Sequence, residues 1–143
     1  MHGGQTRLNG INNMNLSSKT IVLEKTPQEV CDFLSNVENF EQLMPENITK
    51  FEKIGDNAFI FALKGMPEIA LELKEINPPN QVILGAKSDK LPFTLTANIE
   101  AQGEQGSATT LDFSGEFNAM MAMMIKGPIK SFLGTLSDKL QEL

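Results

Sequence analysis

Residues 93–101 read Phe93-Thr94-Leu95-Thr96-Ala97-Asn98-Ile99-Glu100-Ala101, with apolar and polar side chains in alternation. A period of two puts Phe93, Leu95, Ala97 and Ile99 on one face of a strand and Thr94, Thr96, Asn98 and Glu100 on the other. The pattern returns after Gly103–Gly106, where Thr109, Leu111, Phe113 and Phe117 stand against Thr110, Asp112, Ser114 and Glu116. Strands with one apolar and one polar face, joined by short turns, predict an antiparallel sheet with one wet face. The other face must be covered.

Upstream, Ile48–Ile54 reads as a further strand, and Ala58–Lys64 presents Phe59, Phe61 and Leu63 to one side. Glu68–Ile76 turns Ile69, Leu71 and Leu73 inward and Glu72 and Lys74 outward, and Gln81–Ser88 carries Val82 and Leu84. Gly55-Asp56-Asn57, Gly65-Met66-Pro67 and Asn77-Pro78-Pro79-Asn80 supply the turns between them. Downstream the period changes. Met121, Ile125, Ile129, Phe132, Leu136, Leu140 and Leu143 recur at steps of three and four, the apolar stripe of one long helix. Only this helix is long enough to cover the sheet, and Gly127-Pro128 predicts a kink or break in it.

The N-terminal third completes the order. Residues 1–14, with Gly3-Gly4 and Asn9, Asn12 and Asn13, lack periodicity and are expected to form a mobile arm, with Met14 a candidate natural start. Residues 15–143 are then one domain. Leu16–Leu23 reads as the first strand. Thr26-Pro27-Gln28-Glu29 is a helix start, in which Thr26 caps, Pro27 suits the first helical position and Glu29 stands where a capping box needs it. Val30, Phe33, Leu34 and Val37 follow at helical spacing, and a second short helix, Val37–Leu43, carries Phe40 and Leu43 before Pro45 stops it.

Composition excludes more than it assigns. The chain has 143 residues and a formal charge of -6, with no Trp or Tyr and with His2, Arg7 and Cys31 each alone of its kind. Clustered cations for phosphate are lacking, so nucleic acid is not an expected partner. No apolar run approaches the about 18 residues of a transmembrane helix, and the first 18 residues hold no apolar core of a signal peptide. A lone cysteine suits a reducing compartment, so the expectation is a soluble, cytoplasmic protein.

The order of strand, two short helices, six strands and long helix resembles the START-like helix-grip superfamily (SRPBCC). Thr26-Pro27-Gln28-Glu29-Val30-Cys31-Asp32-Phe33-Leu34-Ser35 looks like its capped first helix. Val37-Glu38-Asn39-Phe40-Glu41-Gln42-Leu43-Met44-Pro45 looks like its second helix, most similar to the polyketide cyclase/dehydrase-like branch. The resemblance spans about residues 16–143. It implies an α+β fold in which a curved antiparallel sheet of about seven strands wraps a long C-terminal helix, with a hydrophobic cavity between them. It carries over no catalytic residue: a facial triad needs two His, and His2 is the only one.

On this reading the cavity wall comprises Phe59, Phe61, Leu71, Leu73, Phe93, Leu95, Phe113 and Phe117 from the sheet. Met121, Met124, Phe132 and Leu136 face them from the helix. The competing reading of the same residues is a filled core. The leading functional expectation is a module that binds a small apolar molecule or lipid without chemistry, cofactor or metal. A cyclase- or dehydrase-like enzyme is the second, and it needs Asp112 or Glu116 to point inward, which a one-residue slip of register would achieve. The third is an interaction protein in which Met120–Ile125 docks a partner or forms a homodimer. Cys31 has no neighbouring cation in sequence and reads as a buried, inert thiol. Asp89-Lys90 reads as a turn or as the rim of a cavity mouth.

Overall fold

The computed structural model describes residues 11–87 and 92–143. Asp89-Lys90 therefore lies outside the described residues, as do the first ten positions of the expected arm. The sheet consists of β1 (Ile11–Ser17), β2 (Ile21–Leu23), β3 (Ile48–Ile54), β4 (Ala58–Leu63), β5 (Ile69–Asn77), β6 (Gln81–Ala86), β7 (Phe93–Gln102) and β8 (Gly106–Asn118). Helix α1 (Pro27–Leu34) and a 3-10 helix (Val37–Leu43) follow β2, and α2 (Ala119–Gln141) closes the chain. The strand order is β1-β8-β7-β6-β5-β4-β3, all antiparallel, with β2 also pairing β8. This is the helix-grip fold, with eight strands in place of about seven.

The additional strand corrects the N-terminal expectation. Leu16–Leu23 is two strands, and Ile11–Asn13, expected in the arm, pair with Phe117 and its neighbours on β8. Between Ser17↔Asp112 and Ile21↔Thr109 the edge advances four residues while β8 advances three. Ser18 fills the offset: its amide donates to the Leu111 carbonyl (2.8 Å) and its hydroxyl accepts from the Leu111 amide (2.9 Å). The extra residue changes parity, as a bulge does. Met14 from β1 and Ile21 and Leu23 from β2 are consequently all buried on the same side.

The expected register holds on β7 and β8, while β3 shifts between Ile48 and Lys50 and β5 between Leu73 and Glu75. On β7 and β8, Leu95, Ala97, Ile99, Thr109, Leu111, Phe113 and Phe117 are buried. Helix α1 forms from the cap outward: the Thr26 hydroxyl accepts from the Glu29 amide (3.2 Å) and the Glu29 carboxylate accepts from the Thr26 amide (2.8 Å). In the 3-10 helix, three residues per turn align Val37, Phe40 and Leu43, and all three are buried. Helix α2 runs through Gly127-Pro128 without the expected break, with Ile125 and Ile129 buried on either side to anchor the adjoining turns. Nor does α2 cover the sheet alone. It packs on β1, β2 and β8, while α1 covers β6, β7 and β8.

Candidate functional site

The space between sheet and helices is packed. Leu34, Phe40, Leu43, Leu84, Leu95, Ala97, Leu111, Leu136 and Leu140 enclose a void of about 10 Å³, at most the room of a single water. Of the twelve residues expected to line a cavity, only Leu95 and Leu136 border it. Leu71 is buried in the core and Leu73 is half-buried against it.

The six phenylalanines of the expected wall form two aromatic groups. Phe61 stacks on Phe132 with ring centroids 5.0 Å apart, and Phe59 joins Phe61 to Phe40 and Phe51. At the other end, Phe93 stacks on Phe113 (5.0 Å) and Phe113 on Phe117 (6.1 Å). Gly115 makes this second stack compatible with the strand: a Cβ there would lie 2.8 Å from the Phe117 ring and from the Phe93 Cβ. Sequence alternation identifies these residues as inward but misses Gly115, whose role depends on the two rings around it.

Helix geometry corrects one expected site residue. Met124 precedes Ile125 by one position, about 100° around the helix, and Ile125 lies on the buried stripe, so Met124 turns outward and is 62% exposed. Met121 is half-buried against the core. Met120 (74%) and Met123 (83%) are also exposed, so an apolar patch stands on the N-terminal half of α2.

The interior is chemically quiet. Among the described residues, the buried polar side chains are Ser107, Thr109 and Ser137, beside the thiol of Cys31. Ser137 donates to the Gly134 carbonyl (2.9 Å). The Ser107 and Thr109 hydroxyls have no partner among the described residues. Burial pushes the Cys31 thiol up, only partly offset by the Ser35 hydroxyl and reinforced by Asp32 nearby. Asp112 points outward, accepting from the Ser17 hydroxyl and from Asn98 Nδ2 (2.7 Å), and Glu116 is exposed. No group of three or more His, Cys, Asp or Glu side chains among the described residues is arranged to hold a metal ion. No described helix is long and apolar enough to cross a membrane.

Core residues also reach the surface in a groove. This groove of about 330 Å³ runs between the turn after β4 and the middle of α2, lined by Pro45, Asn47, Leu63, Lys64, Met66, Pro128, Ser131, Phe132 and Thr135. Two of its lining residues, Leu63 and Phe132, belong to the core, and Phe132 is the ring stacked on Phe61. No sequence signal marks this groove, because it joins residues from three separate segments.

Comparison with known proteins agrees with the architecture. The family model for CoxG, a subunit of carbon monoxide dehydrogenase, matches residues 20–135. Norcoclaurine synthase from Thalictrum flavum superposes with a TM-score of 0.73 at 11% identity, covering 99% of this chain and 92% of that one. A conserved protein from Geobacillus kaustophilus gives 0.63 at 16% identity, with 92% and 93% covered. A protein from Rhizobium loti gives 0.61 at 13%, with 90% and 98% covered. These likenesses show the shared fold. No curated protein matches the chain in sequence.

Proposed function

We propose, from the premise that this chain belongs to the CoxG family of carbon monoxide dehydrogenase subunits, that it binds a small apolar molecule between its sheet and α2 and performs no chemistry on it. The observation that carries this reading is the groove lined by two core residues, Leu63 and Phe132, the second of them stacked on Phe61. Swinging Phe132 off Phe61 joins the groove to an interior of Phe and Leu side chains. Such a wall drives binding through apolar area, about 25 cal/mol per Å² before association entropy is subtracted.

The buried residues among those described supply no carboxylate, imidazole or ammonium, which supports a carrier over an acid–base catalyst. The protein works in the cytoplasm, where a lone thiol stays reduced. The test is binding of a neutral environment-sensitive dye such as Nile red to the full chain. Micromolar, saturable binding is expected, and Leu136→Trp, which crowds the void of about 10 Å³ from the α2 side, is expected to weaken it, provided circular dichroism shows the variant folded. A folded wild-type protein that leaves the dye unbound overturns the reading.

A second reading has its own observation. Met120, Met123 and Met124 present an exposed, adaptable surface, and the family's name describes one component of a larger enzyme. Docking of this patch on a partner protein or a second copy is compatible with ligand carriage. Met123→Lys reduces such association without affecting dye binding.

A further inference from the structure

We infer that the molecule held between sheet and helices is neutral and carries a hydrogen-bonding oxygen, such as a ketone or alcohol, which Ser107 and Thr109 receive. This rests on the apolar-carrier reading and narrows its ligand class. Both side chains are 0% exposed, and neither hydroxyl has a hydrogen-bond partner among the described residues. Burying a hydroxyl without a partner is unfavourable, and an apolar residue of the same shape is neutral or better in its place. Ser137, the other buried hydroxyl, is satisfied within its own helix. The two unmet groups are neighbours: they occupy successive inward positions of β8, in the row that continues to Leu111. Leu111 and its cross-strand partner Ala97 both border the central void, and Thr109 and its partner Ile99 form the next inward pair. Two residues along a strand span about 6.8 Å, so a ligand that widens the void by one row meets the Thr109 hydroxyl.

The same surroundings fix the charge of the ligand. No Lys, Arg or His is buried among the described residues. An ionised carboxylate there would be desolvated without a countercharge. A hydroxyl can donate to a carbonyl or exchange hydrogen bonds with an alcohol, and both chemistries leave the body of the ligand to Phe and Leu.

The test compares decane, 2-decanone and decanoate as competitors for Nile red on the full chain at pH 7. The expected order is 2-decanone tighter than decane by about 5- to 10-fold, the value of one net hydrogen bond, with decanoate weakest. In Ser107→Ala/Thr109→Val the advantage of 2-decanone disappears, decane affinity is unchanged and the melting temperature is equal or higher. Equal affinity of decane and 2-decanone for the wild type, tightest binding of decanoate, or a preference that survives in the folded double variant each overturn the inference alone. Failure of the dye and of all three competitors overturns the carrier reading and the inference with it. The wild-type series decides even where the double variant does not fold.

Discussion

Phe132 of α2 lies on Phe61 of β4 with ring centroids 5.0 Å apart and planes 9° from parallel. Phe132 is at once part of this core stack and part of the lining of the surface groove. If Phe132 is a gate, its replacement must change kinetics more than equilibrium. Phe132→Leu keeps apolar bulk and removes the stack, at a cost of about 1 kcal/mol in urea denaturation. Dye association measured by stopped flow is expected to accelerate several-fold. An unchanged association rate with the same loss of stability leaves Phe132 as packing only.

The register of β8 places Phe113 inward and Asp112 outward, where Asp112 accepts from Ser17 and Asn98. Phe113→Asp buries a carboxyl among Phe93 and Phe117 and is expected to cost several kcal/mol or to raise that carboxyl's pKa strongly. Asp112→Ala loses two partly exposed hydrogen bonds and is expected to cost about 1 kcal/mol. Equal losses in chemical denaturation contradict the register.

The alternation of Phe93–Ala101 and the cap at Thr26 are legible directly because they rest on local periods and local hydrogen bonds. Ile11–Asn13 are not. Nothing in an Asn-rich segment marks a strand, and its pairing is imposed by β8, with Ser18 correcting parity by contacts that span 93 residues of sequence. The unbroken course of α2 through Pro128 likewise depends on anchors at Ile125 and Ile129 rather than on propensity. As for the site, the pattern identifies which side chains face inward, yet how tightly those faces interlock is a property of packing. Phe59, Phe61 and Phe132, expected to bound open space, fill it with one another. Met124, expected on the cavity wall although it stands one residue off the stripe of Met121 and Ile125, lies about 100° around the helix from Ile125 and turns outward.

The capping box ties α1 to pH. The Thr26 backbone amide, helped by its hydroxyl, holds the exposed Glu29 carboxyl below the usual carboxylate range. A depressed pKa means stability that is present above the unfolded value, near pH 4, and is lost as pH falls through the folded value. Glu29→Gln is therefore expected to lower the melting temperature at pH 7, where the wild type holds the full contribution, and to change little in strong acid, which flattens the acid limb of the profile. A variant whose acid limb matches the wild type shows that the box does not contribute to folding.

Ligand binding should be insensitive to neutral pH, and the reason lies in Cys31. It is the one titratable side chain among the described buried residues, and burial raises its pKa. A raised thiol stays protonated through pH 8, so neither the interior charge nor the affinity changes between pH 6 and 8. Nile red titrations across that range are expected to superimpose. The same protection makes Cys31 slow to react with a thiol reagent in the folded protein and fast in urea, since the thiolate is the reactive form and the side chain is 1% exposed. A bell-shaped binding profile would place an ionising carboxylate or amine inside the grip and favour an acid–base enzyme over a carrier. Rapid native-state labelling of Cys31 would show that α1 leaves the sheet readily, which would move the opening of the core from Phe132 to the other helix.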